Sequence, residues 1–376
     1  MDRYSRRRWG YRAMVARMTL SLSPEMLREL AKFRIDEAQL AQFAARAADR
    51  VSTAVRGAIS PLAASDTSRL PDPGAPESVR LAKLGTDALE RGEVGVVVLA
   101  GGMATRFGGV VKSVVPVLPG KSFLWMKVAD VRTVGPEVPV YVMTSAATHD
   151  RIVQQVQEER LAGVECFPQF VSLRLTPSGD LFLDQGKPSP YATGHGDLTF
   201  ALRRSGVLDR FRTAGGKILY MSNVDNLAAT LDPPVIGAHI ASGSEMTAEV
   251  VRKRQGDAGG APARLDGRPQ IIESFRFPPS FDQDSLPLFN TNSFVLDVKA
   301  IDRDFDLTFF RVEKQVNGET AIQFERLVGE LTAFLSSHFL EVSRSRFLPV
   351  KDPEELAARQ EAIRALFGKI APYDRT

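Results

Sequence analysis

Short apolar runs alternate with amphipathic segments along most of the chain. The run Val94–Leu99 is continuous and β-branched, which predicts a strand buried on both faces of a parallel sheet. Comparable runs predict strands at 138–143, 166–171, 218–221, 246–251 and 289–298, and amphipathic segments predict helices at 81–91, 123–131 and 147–161. Because strands and helices follow one another in turn, we expect an α/β domain with a mainly parallel sheet. Ligands bind at the carboxyl ends of such strands.

The N-terminal region has a helical pattern instead. Ser23 and Pro24 form a typical helix start, with a hydroxyl at the N-cap and a proline at the first helical position. A second helix is expected to open at Asp36 and to end at Gly57, because the apolar positions between them share one face.

The linker that follows sets the expected domain division. Residues 61–76 have the composition of turns and linkers. We therefore expect an N-terminal helical accessory segment and linker at 1–76 and one larger domain at 77–376. Near its end, the apolar stripe at 320–335 predicts a helix and residues 347–350 predict a short strand.

A glycine-rich turn follows the strand Val94–Leu99. Its members are Gly101, Gly102, Thr105, Arg106, Gly108 and Gly109, with Lys112 three residues further on. Glycines let backbone N–H groups approach a ligand that a Cβ would obstruct, and the cations neutralise negative charge. The pattern therefore favours phosphate binding; the alternative is an ordinary tight turn between a strand and a helix. It is neither the Walker A nor the dinucleotide-binding pattern.

Polar residues that could bind a ligand also occur near the end of the predicted strand 166–171 and in a later glycine turn. Gln169 has the donor and acceptor needed to bind a uracil edge, although an amide at a strand end is commonly just solvated. His195 lies between Gly194 and Gly196, which leave its imidazole open to a ligand, and Asp197 is placed to orient this turn. An isolated histidine is otherwise more often a structural residue.

Asp225 lies just beyond a predicted strand, between Asn223 and Asn226. One carboxylate among amides suits Mg²⁺, which is held by one or two carboxylates together with substrate phosphates and water. The alternative is an Asx-turn in which Asp225 bonds only its own backbone.

The C-terminal third adds an amide and a cation. Asn292, near the entrance of a predicted strand, can bond sugar hydroxyls or cap a turn, and Lys351 occupies a strand-to-helix junction suited to phosphate. Arg344 and Arg346 are expected to be solvated surface charges.

Composition narrows the classes of function. The chain has 376 residues, is 44% hydrophobic and 25% charged, and has a net charge of +3. Its single cysteine excludes an internal disulfide and a multi-cysteine metal site, which favours a reducing, cytoplasmic compartment. No apolar run is long enough for a membrane span. The mild positive charge suits an anionic small molecule, and we expect no nucleic-acid or membrane partner.

Seven sequence blocks together resemble the UTP–glucose-1-phosphate uridylyltransferase (UDP-glucose pyrophosphorylase) family, within the UDP-sugar pyrophosphorylases. They are L-x-G-G-x-x-T-R (99–106), F-x-Q (167–169), G-H-G-D (194–197), S-N-x-D-N-L-x-A-T (222–230), E-V-x-x-K (249–253), N-T-N (290–292) and S-R-F-L-P-V-K (345–351). Two departures occur in the glycine turn. Ala104 replaces a family glycine, and the segment before Lys112 is one residue short, with Val111 in the place of a proline.

The resemblance implies a Rossmann-like, GT-A-like nucleotidyltransferase domain with a mixed, mainly parallel sheet. It implies an Mg²⁺-assisted reaction in which a sugar 1-phosphate, glucose 1-phosphate above all, attacks UTP to give a UDP-sugar and pyrophosphate. It assigns catalysis to Lys112, Lys351 and Arg106, nucleotide binding to Gly101, Gly102, Thr105, Gln169, Gly194 and Asn223, sugar-phosphate binding to His195, Glu249, Lys253 and Asn292, and the metal to Asp225.

Two alternatives remain at this point. A sister pyrophosphorylase would use N-acetylglucosamine 1-phosphate or another sugar, and a non-catalytic sensor would only bind the sugar nucleotide. Eukaryotic family members continue into a C-terminal β-helix used for assembly, and we expect no such domain after Lys351. We therefore expect a monomer.

Overall fold

The computed structural model describes residues 35–49 and 52–370. The helix expected at Ser23 and Pro24 lies outside these residues. The described helices are Glu37–Arg46 (α1), Pro76–Glu90 (α2), Phe123–Val134 (α3), His149–Glu158 (α4), Leu198–Arg204 (α5), Val207–Thr213 (α6), Pro233–Ser242 (α7), Val298–Ile301 (α8), Pro353–Ala358 (α9) and Gln360–Ile370 (α10). Among the described segments, no helix combines the length and apolar character needed to cross a bilayer.

The strands fall into one large sheet and several small ones. They are Ile59–Ser60 (β1), Thr67–Arg69 (β2), Val94–Leu99 (β3), Met103–Ala104 (β4), Val110–Val111 (β5), Pro116–Leu118 (β6), Lys121–Ser122 (β7), Val140–Thr144 (β8), Val164–Pro168 (β9), Val171–Leu173 (β10), Leu183–Asp184 (β11), Lys187–Pro188 (β12), Pro190–Ala192 (β13), Ile218–Asn223 (β14), Met246–Arg252 (β15), Ala261–Leu265 (β16), Arg268–Ile272 (β17), Leu288–Asp297 (β18), Phe310–Val316 (β19), Glu319–Glu325 (β20) and Ser337–Glu341 (β21).

The large sheet has eight strands in the order β2-β21-β15-β18-β14-β3-β8-β9. β18 runs antiparallel to both of its neighbours, and every other adjacent pair in this sheet is parallel. The expected α/β class with a mixed, mainly parallel sheet is confirmed. All six of the apolar runs predicted as strands contribute to this sheet.

Successive residues of β3 face opposite sides of the sheet, and both sides are covered. Val96 and Val98 pack in a core with residues of α2, α3, α4 and α7. Val97 and Leu99 pack in a second core with residues of α5, α6 and α8. The six residues of β3 are all buried, which explains why this strand reads as a continuous apolar run.

The helix predicted at 320–335 is wrong. The stretch forms strand β20 and then a 3-10 helix, Val328–Ala333. β20 pairs with β19 along its whole length across the turn Asn317–Gly318, in which both residues have positive φ (51° and 85°). Asn-Gly between two strands is a strong hairpin signal, and it outweighs the helical spacing of the apolar residues.

Two N-terminal expectations also change. α1 begins after the N-cap Asp36 as predicted, but it ends at Arg46 rather than at Gly57. Val55 belongs to a separate small core with residues of β16 and β17. The predicted linker at 61–76 contains β2, which pairs parallel with β21 at the edge of the large sheet. The sequence does not predict this strand because its residues are polar, and backbone pairing with β21 holds it in the sheet. The domain division at residue 76 stays a prediction.

Two glycines allow α2 and α7 to cross closely. A Cβ on Gly85 of α2 would lie 1.9 Å from the carbonyl oxygen of Pro233, and a Cβ on Gly237 of α7 would lie 1.9 Å from the carbonyl oxygen of Leu81. These distances are far below van der Waals contact, so the crossing requires glycine on both helices.

We predict that Gly85→Ala lowers the free energy of unfolding. Alanine gains about 1 kcal/mol in helix propensity, but the clash with a backbone oxygen costs about 1–3 kcal/mol or more. Gly368→Ala in α10 is the matched control, because a Cβ there meets nothing within 4 Å. Urea unfolding of both variants measures the difference, and a Gly85→Ala protein as stable as wild type would contradict the packing described.

Candidate active site

The carboxyl ends of β3 and β14 meet at one edge of the sheet. Leu99 and Asn223, the last residues of these neighbouring parallel strands, are paired in register. The glycine turn leaves β3 here, and Asp225 follows β14. Between them opens the central pocket, with a volume of about 320 Å³. It is lined by Leu99, Gly101, Gly102, Lys112, Met143, Gln169, Ala192, Gly194, His195, Asn223, Val224, Asp225 and Glu325.

The glycine turn brings Lys112 to Asp225. The short strands β4 and β5 pair antiparallel, and Gly108 and Gly109 between them have φ of 82° and 80°, which glycine adopts without strain. Lys112 Nζ lies 2.6 Å from Asp225 Oδ2, and both side chains are largely buried. The shortened turn with Val111 therefore still delivers the ammonium group into the pocket.

Arg106 takes a different direction. The backbone of Thr105, Arg106 and Phe107 forms a single 3-10 turn after β4. The Arg106 side chain is 64% exposed, and its Nη1 lies 3.7 Å from Asp352 Oδ2 at the start of α9. Arg106 is thus held beside the pocket rim rather than within the pocket.

Gln169 closes the end of the pocket next to Gly101. It follows β9, its backbone N–H donates to the carbonyl oxygen of Thr144 (2.9 Å), and its side chain is buried. A Cβ on Gly101 would lie 2.3 Å from Gln169 Nε2. The absence of a side chain at Gly101 is therefore what leaves room for this amide.

The Gly194–Gly196 turn sets the orientation of His195. A Cβ on Gly194, whose φ is 95°, would lie 2.4 Å from the carbonyl oxygen of Arg326. The backbone N–H of Val328 donates to His195 Nδ1 (3.1 Å), so the proton of the neutral ring is on Nε2. Burial lowers the pKa of His195 to about 4. The ring is neutral at physiological pH.

Asp197 anchors this turn from behind. Its carboxylate accepts hydrogen bonds from Arg326 Nε (2.6 Å), Thr193 Oγ1 (2.6 Å) and the backbone N–H of Phe170 (3.0 Å). The Arg326 guanidinium lies 3.9 Å from the ring centroid of Phe200. The expectation that Asp197 orients the turn is confirmed, through a buried ion pair rather than a cap.

An adjoining pocket of about 220 Å³ continues from the central one. The two share His195, Asn223 and Asp225. Asn292, which has a positive φ of 57°, donates from Nδ2 to Asn223 Oδ1 (3.0 Å). Lys351 lies on the wall of the adjoining pocket, just before α9. The predicted strand at 347–350 is wrong, since this stretch makes only a single bridge, from Pro349 to Asn226.

Glu273 also lines the adjoining pocket and was not singled out in the sequence. Burial, reinforced by the neighbouring charge of Glu330, raises the pKa of Glu273 to about 7. It follows β17 directly, just as Asp225 follows β14 closely. The rule that ligands bind at the carboxyl ends of parallel strands does not find Glu273, because β17 pairs antiparallel with β16 in a separate small sheet.

Two residues expected at the sugar phosphate lie elsewhere. Among the described residues that line the two pockets, neither Glu249 nor Lys253 is found. Glu249 is 1% exposed and accepts hydrogen bonds from Arg346 and from the hydroxyl of Tyr220. Lys253 Nζ donates to Asp284 Oδ1 (2.8 Å) and to a backbone carbonyl. The expectation that Arg344 and Arg346 are solvated surface charges is wrong for both. The side chain of Arg346 is 11% exposed, and that of Arg344 is 23% exposed and donates two hydrogen bonds to the Asp257 carboxylate (2.7 and 2.6 Å).

The donor set suits a cation that shares its ligands with a substrate. Among the described residues, no group of three or more histidines, cysteines or carboxylates could hold a metal alone. Asp225 offers one carboxylate at the centre of the pocket, next to the amide of Asn223. Mg²⁺ commonly takes one or two carboxylates and completes its shell with phosphates and water, so the residues present fit that ion.

Comparison with solved structures supports the fold. The TM-score is 0.74 against a UDP-glucose phosphorylase of Trypanosoma brucei, at 24% identity over 89% of this chain and 77% of that one. It is 0.72 against a UDP-N-acetylglucosamine pyrophosphorylase of the same organism, at 18% identity over 86% of this chain and 76% of that one.

Sequence comparison identifies the family, whereas the structural comparison supports only the fold. A UTP–glucose-1-phosphate uridylyltransferase 2 of Dictyostelium discoideum is 30% identical over 300 residues, covering 73% of this chain and 59% of the relative. The UTP–glucose-1-phosphate uridylyltransferase of Hordeum vulgare is 30% identical over 298 residues, covering 72% and 62%. The chain thus spans about 60% of the length of these relatives. A family model described as UTP–glucose-1-phosphate uridylyltransferase matches residues 67–366. The chain therefore belongs to the UTP–glucose-1-phosphate uridylyltransferase family.

Proposed function

We propose that the protein forms UDP-glucose and pyrophosphate from UTP and glucose 1-phosphate. A phosphate oxygen of the sugar attacks the α-phosphorus of UTP, the bond from that phosphorus to the oxygen bridging the β-phosphorus breaks, and pyrophosphate leaves. The nucleophile is already ionised at neutral pH, so catalysis requires positioning and charge neutralisation rather than a general base. The observation that carries the proposal is the meeting of Lys112 and Asp225 between two connected pockets.

The two pockets suit the two substrates. In the central pocket, Gln169 and the backbone at Gly194 would bind the uracil edge, and Lys112 with the glycine turn would hold the phosphates. In the adjoining pocket, Asn292 and Glu273 offer an amide and a carboxyl group to sugar hydroxyls. Lys351 would neutralise the reacting phosphates from the opposite wall.

Asp225 is the proposed ligand of the metal ion. Together with substrate phosphates it would hold Mg²⁺, which when bound neutralises charge on the phosphates. Without substrate, Lys112 and Asp225 serve as counter-ions to each other at 2.6 Å. Phosphates and a cation supply each of them with a new partner, so the substrates replace this ion pair rather than add to it.

The charged residues around the pockets favour an enzyme over a non-catalytic sensor. A non-catalytic sensor would need only nucleotide-binding residues, whereas here Lys112, Asp225 and Lys351 surround the place where the scissile bond would lie.

The cytoplasmic location and the monomeric state stay predictions.

We predict that UTP and glucose 1-phosphate release pyrophosphate in the presence of Mg²⁺. Lys112→Ala, Asp225→Ala and Lys351→Ala should each lower kcat about 100- to 1,000-fold, because each removes a preorganised charge at the reacting phosphates. Lys83→Ala, which removes an exposed lysine paired with Asp87 on α2, is the control and should retain full activity.

The same assay distinguishes the alternatives. A panel of sugar 1-phosphates that includes N-acetylglucosamine 1-phosphate identifies the sugar by the largest kcat/KM. Turnover with no sugar 1-phosphate, in a protein that still binds UDP-glucose in a calorimeter, would contradict the enzyme and favour the sensor.

We predict that Gly101→Ala weakens uridine binding by about five- to tenfold. The added methyl displaces the Gln169 amide, and the uracil edge then loses a hydrogen bond worth about 1–1.5 kcal/mol. Pyrophosphate, which has no uracil, should bind the variant almost as well as wild type. Calorimetry with both ligands tests this, and equal losses for the two ligands would rule out a role for Gln169 in uracil recognition.

We predict that His195 remains neutral, with Nε2–H available to an oxygen of the sugar phosphate, down to about pH 4. Because its pKa in the folded protein lies below the unfolded value of about 6.5, the unfolded chain binds more protons between these values. The contribution of His195 to the free energy of unfolding therefore has its full value above pH 6.5. It falls by about 1.4 kcal/mol per pH unit as the pH is lowered from 6.5 to about 4.

Ring chemical shifts and urea unfolding between pH 7 and 5 test the histidine. The His195→Gln variant should lack this component of the pH dependence. A ring that titrates near pH 6.5 in the folded protein would show that the imidazole is not held as described.

A further inference from the structure

Arg346 forms the centre of a buried ionic network. It lies in the 3-10 turn Arg344–Arg346. Its Nε donates to Glu249 Oε2 (2.7 Å) and its Nη2 to Glu249 Oε1 (3.1 Å). Its Nη1 donates to Asp232 Oδ2 (3.1 Å) and to Thr230 Oγ1 (3.2 Å), and its Nη2 also donates to the carbonyl oxygen of Thr230 (3.0 Å). One guanidinium thereby joins the middle of the large sheet to the loop that follows β14.

The geometry of this network requires arginine. Glu249 is held in bidentate fashion by two nitrogens of the planar fork, while the hydroxyl of Tyr220 donates to Glu249 Oε1 (2.9 Å). A lysine ammonium would retain the charge but has only three donors and no planar fork. Removal of the guanidinium would leave the Glu249 carboxylate buried without its counter-ion.

The loop after β14 and the segment after Arg346 are also joined by hydrogen bonds that backbone N–H groups donate. The N–H of Val350 donates to the carbonyl oxygen of Asp225 (3.0 Å), and the N–H of Leu348 donates to Asn226 Oδ1 (2.9 Å). Lys351 follows Val350 directly. The backbone of Asp225 is therefore fixed relative to that of Lys351 by hydrogen bonds within a few residues of those that Arg346 makes.

The loop is supported on another side by α3. Lys127, which is 4% exposed, donates from Nζ to the carbonyl oxygens of Asn226 (3.1 Å) and Ala229 (2.5 Å). Both ends of the stretch between Asp225 and Asp232 are thus tied to buried cations, Lys127 at one end and Arg346 at the other.

We propose that Arg346 is a positioning residue that fixes Lys351 relative to Asp225 across the adjoining pocket. Arg346 itself touches neither pocket in the described residues. It acts by holding residues 346–351 against the loop that carries Asp225. The inference rests on the proposed function, in which these two side chains neutralise the reacting phosphates from opposite sides.

The test compares Arg346→Met and Arg346→Lys with Arg264→Met. Arg264 forms a bidentate pair with Asp66 (2.6 and 2.7 Å) that lines neither pocket, so its loss reports the general effect of breaking an ion pair. At a temperature where all three are folded, Arg346→Met should lose about 100-fold in kcat, as expected for a displacement of about 1 Å, while its affinity for uridine stays within about twofold. Arg346→Lys should lose less, and Arg264→Met should retain its kcat.

A double-mutant cycle shows whether Arg346 acts through Lys351. If it does, Arg346→Met should lower kcat about 100-fold in the wild-type background but less than about threefold in the Lys351→Ala background. Losses that multiply in the double variant, or a folded Arg346→Met protein with full kcat, would overturn the proposal.

Hydrogen exchange gives a readout that does not depend on turnover. The amides of Leu348 and Val350 should exchange at least tenfold faster in Arg346→Met than in Arg264→Met, because their hydrogen bonds to Asn226 and Asp225 open more often. Unchanged exchange would overturn the proposal even if the variant were inactive. A wild-type protein without turnover would instead contradict the proposed function, and the exchange measurement would still decide whether Arg346 holds this segment.

Discussion

The parallel pairing of β3 with β14 is the constraint on which the site depends. It brings the ends of two strands that lie more than a hundred residues apart in the chain to the same edge of the sheet. One end continues into the glycine turn and Lys112, and the other into Asp225, so the 2.6 Å contact between these side chains follows from the sheet order. β9 adds Gln169 at the same edge, and the long strand β18, antiparallel to β14, adds Asn292. A change of strand order would separate all of these groups.

Charged groups around the pockets are held in pairs of two kinds. Asp197 with Arg326 and Glu249 with Arg346 are buried and hydrogen-bonded, and they support turns that carry His195 and Lys351. Burying a single charge is strongly unfavourable, so each such pair specifies one arrangement of the turns it joins. The Lys112–Asp225 pair differs because it lines an open pocket, where incoming ions can replace each partner. The two buried pairs therefore hold the turns around the pocket, and the Lys112–Asp225 pair is the one that incoming ions can replace.

Local sequence pattern was sufficient for the features that depend on neighbours in the chain. The buried strand before the glycine turn, the position of Gln169 at a strand end, the position of Asp225 after its strand and the helix that begins soon after Lys351 were all predicted correctly. Features that depend on distant pairing were missed. Glu249 faces Arg346, almost a hundred residues away, so the sequence could not show that these charges satisfy each other. β20 satisfies a helical spacing but pairs as a hairpin, which only its turn residues indicate.

The most direct measurement is a crystal structure of the protein with UTP and Mg²⁺. The uracil should then lie against Gln169 and Gly194, and Lys112 Nζ should have left Asp225 Oδ2 for a phosphate oxygen. A nucleotide bound away from Gln169, or a Lys112–Asp225 contact that remains at 2.6 Å beside bound phosphates, would contradict the assignment of these pockets.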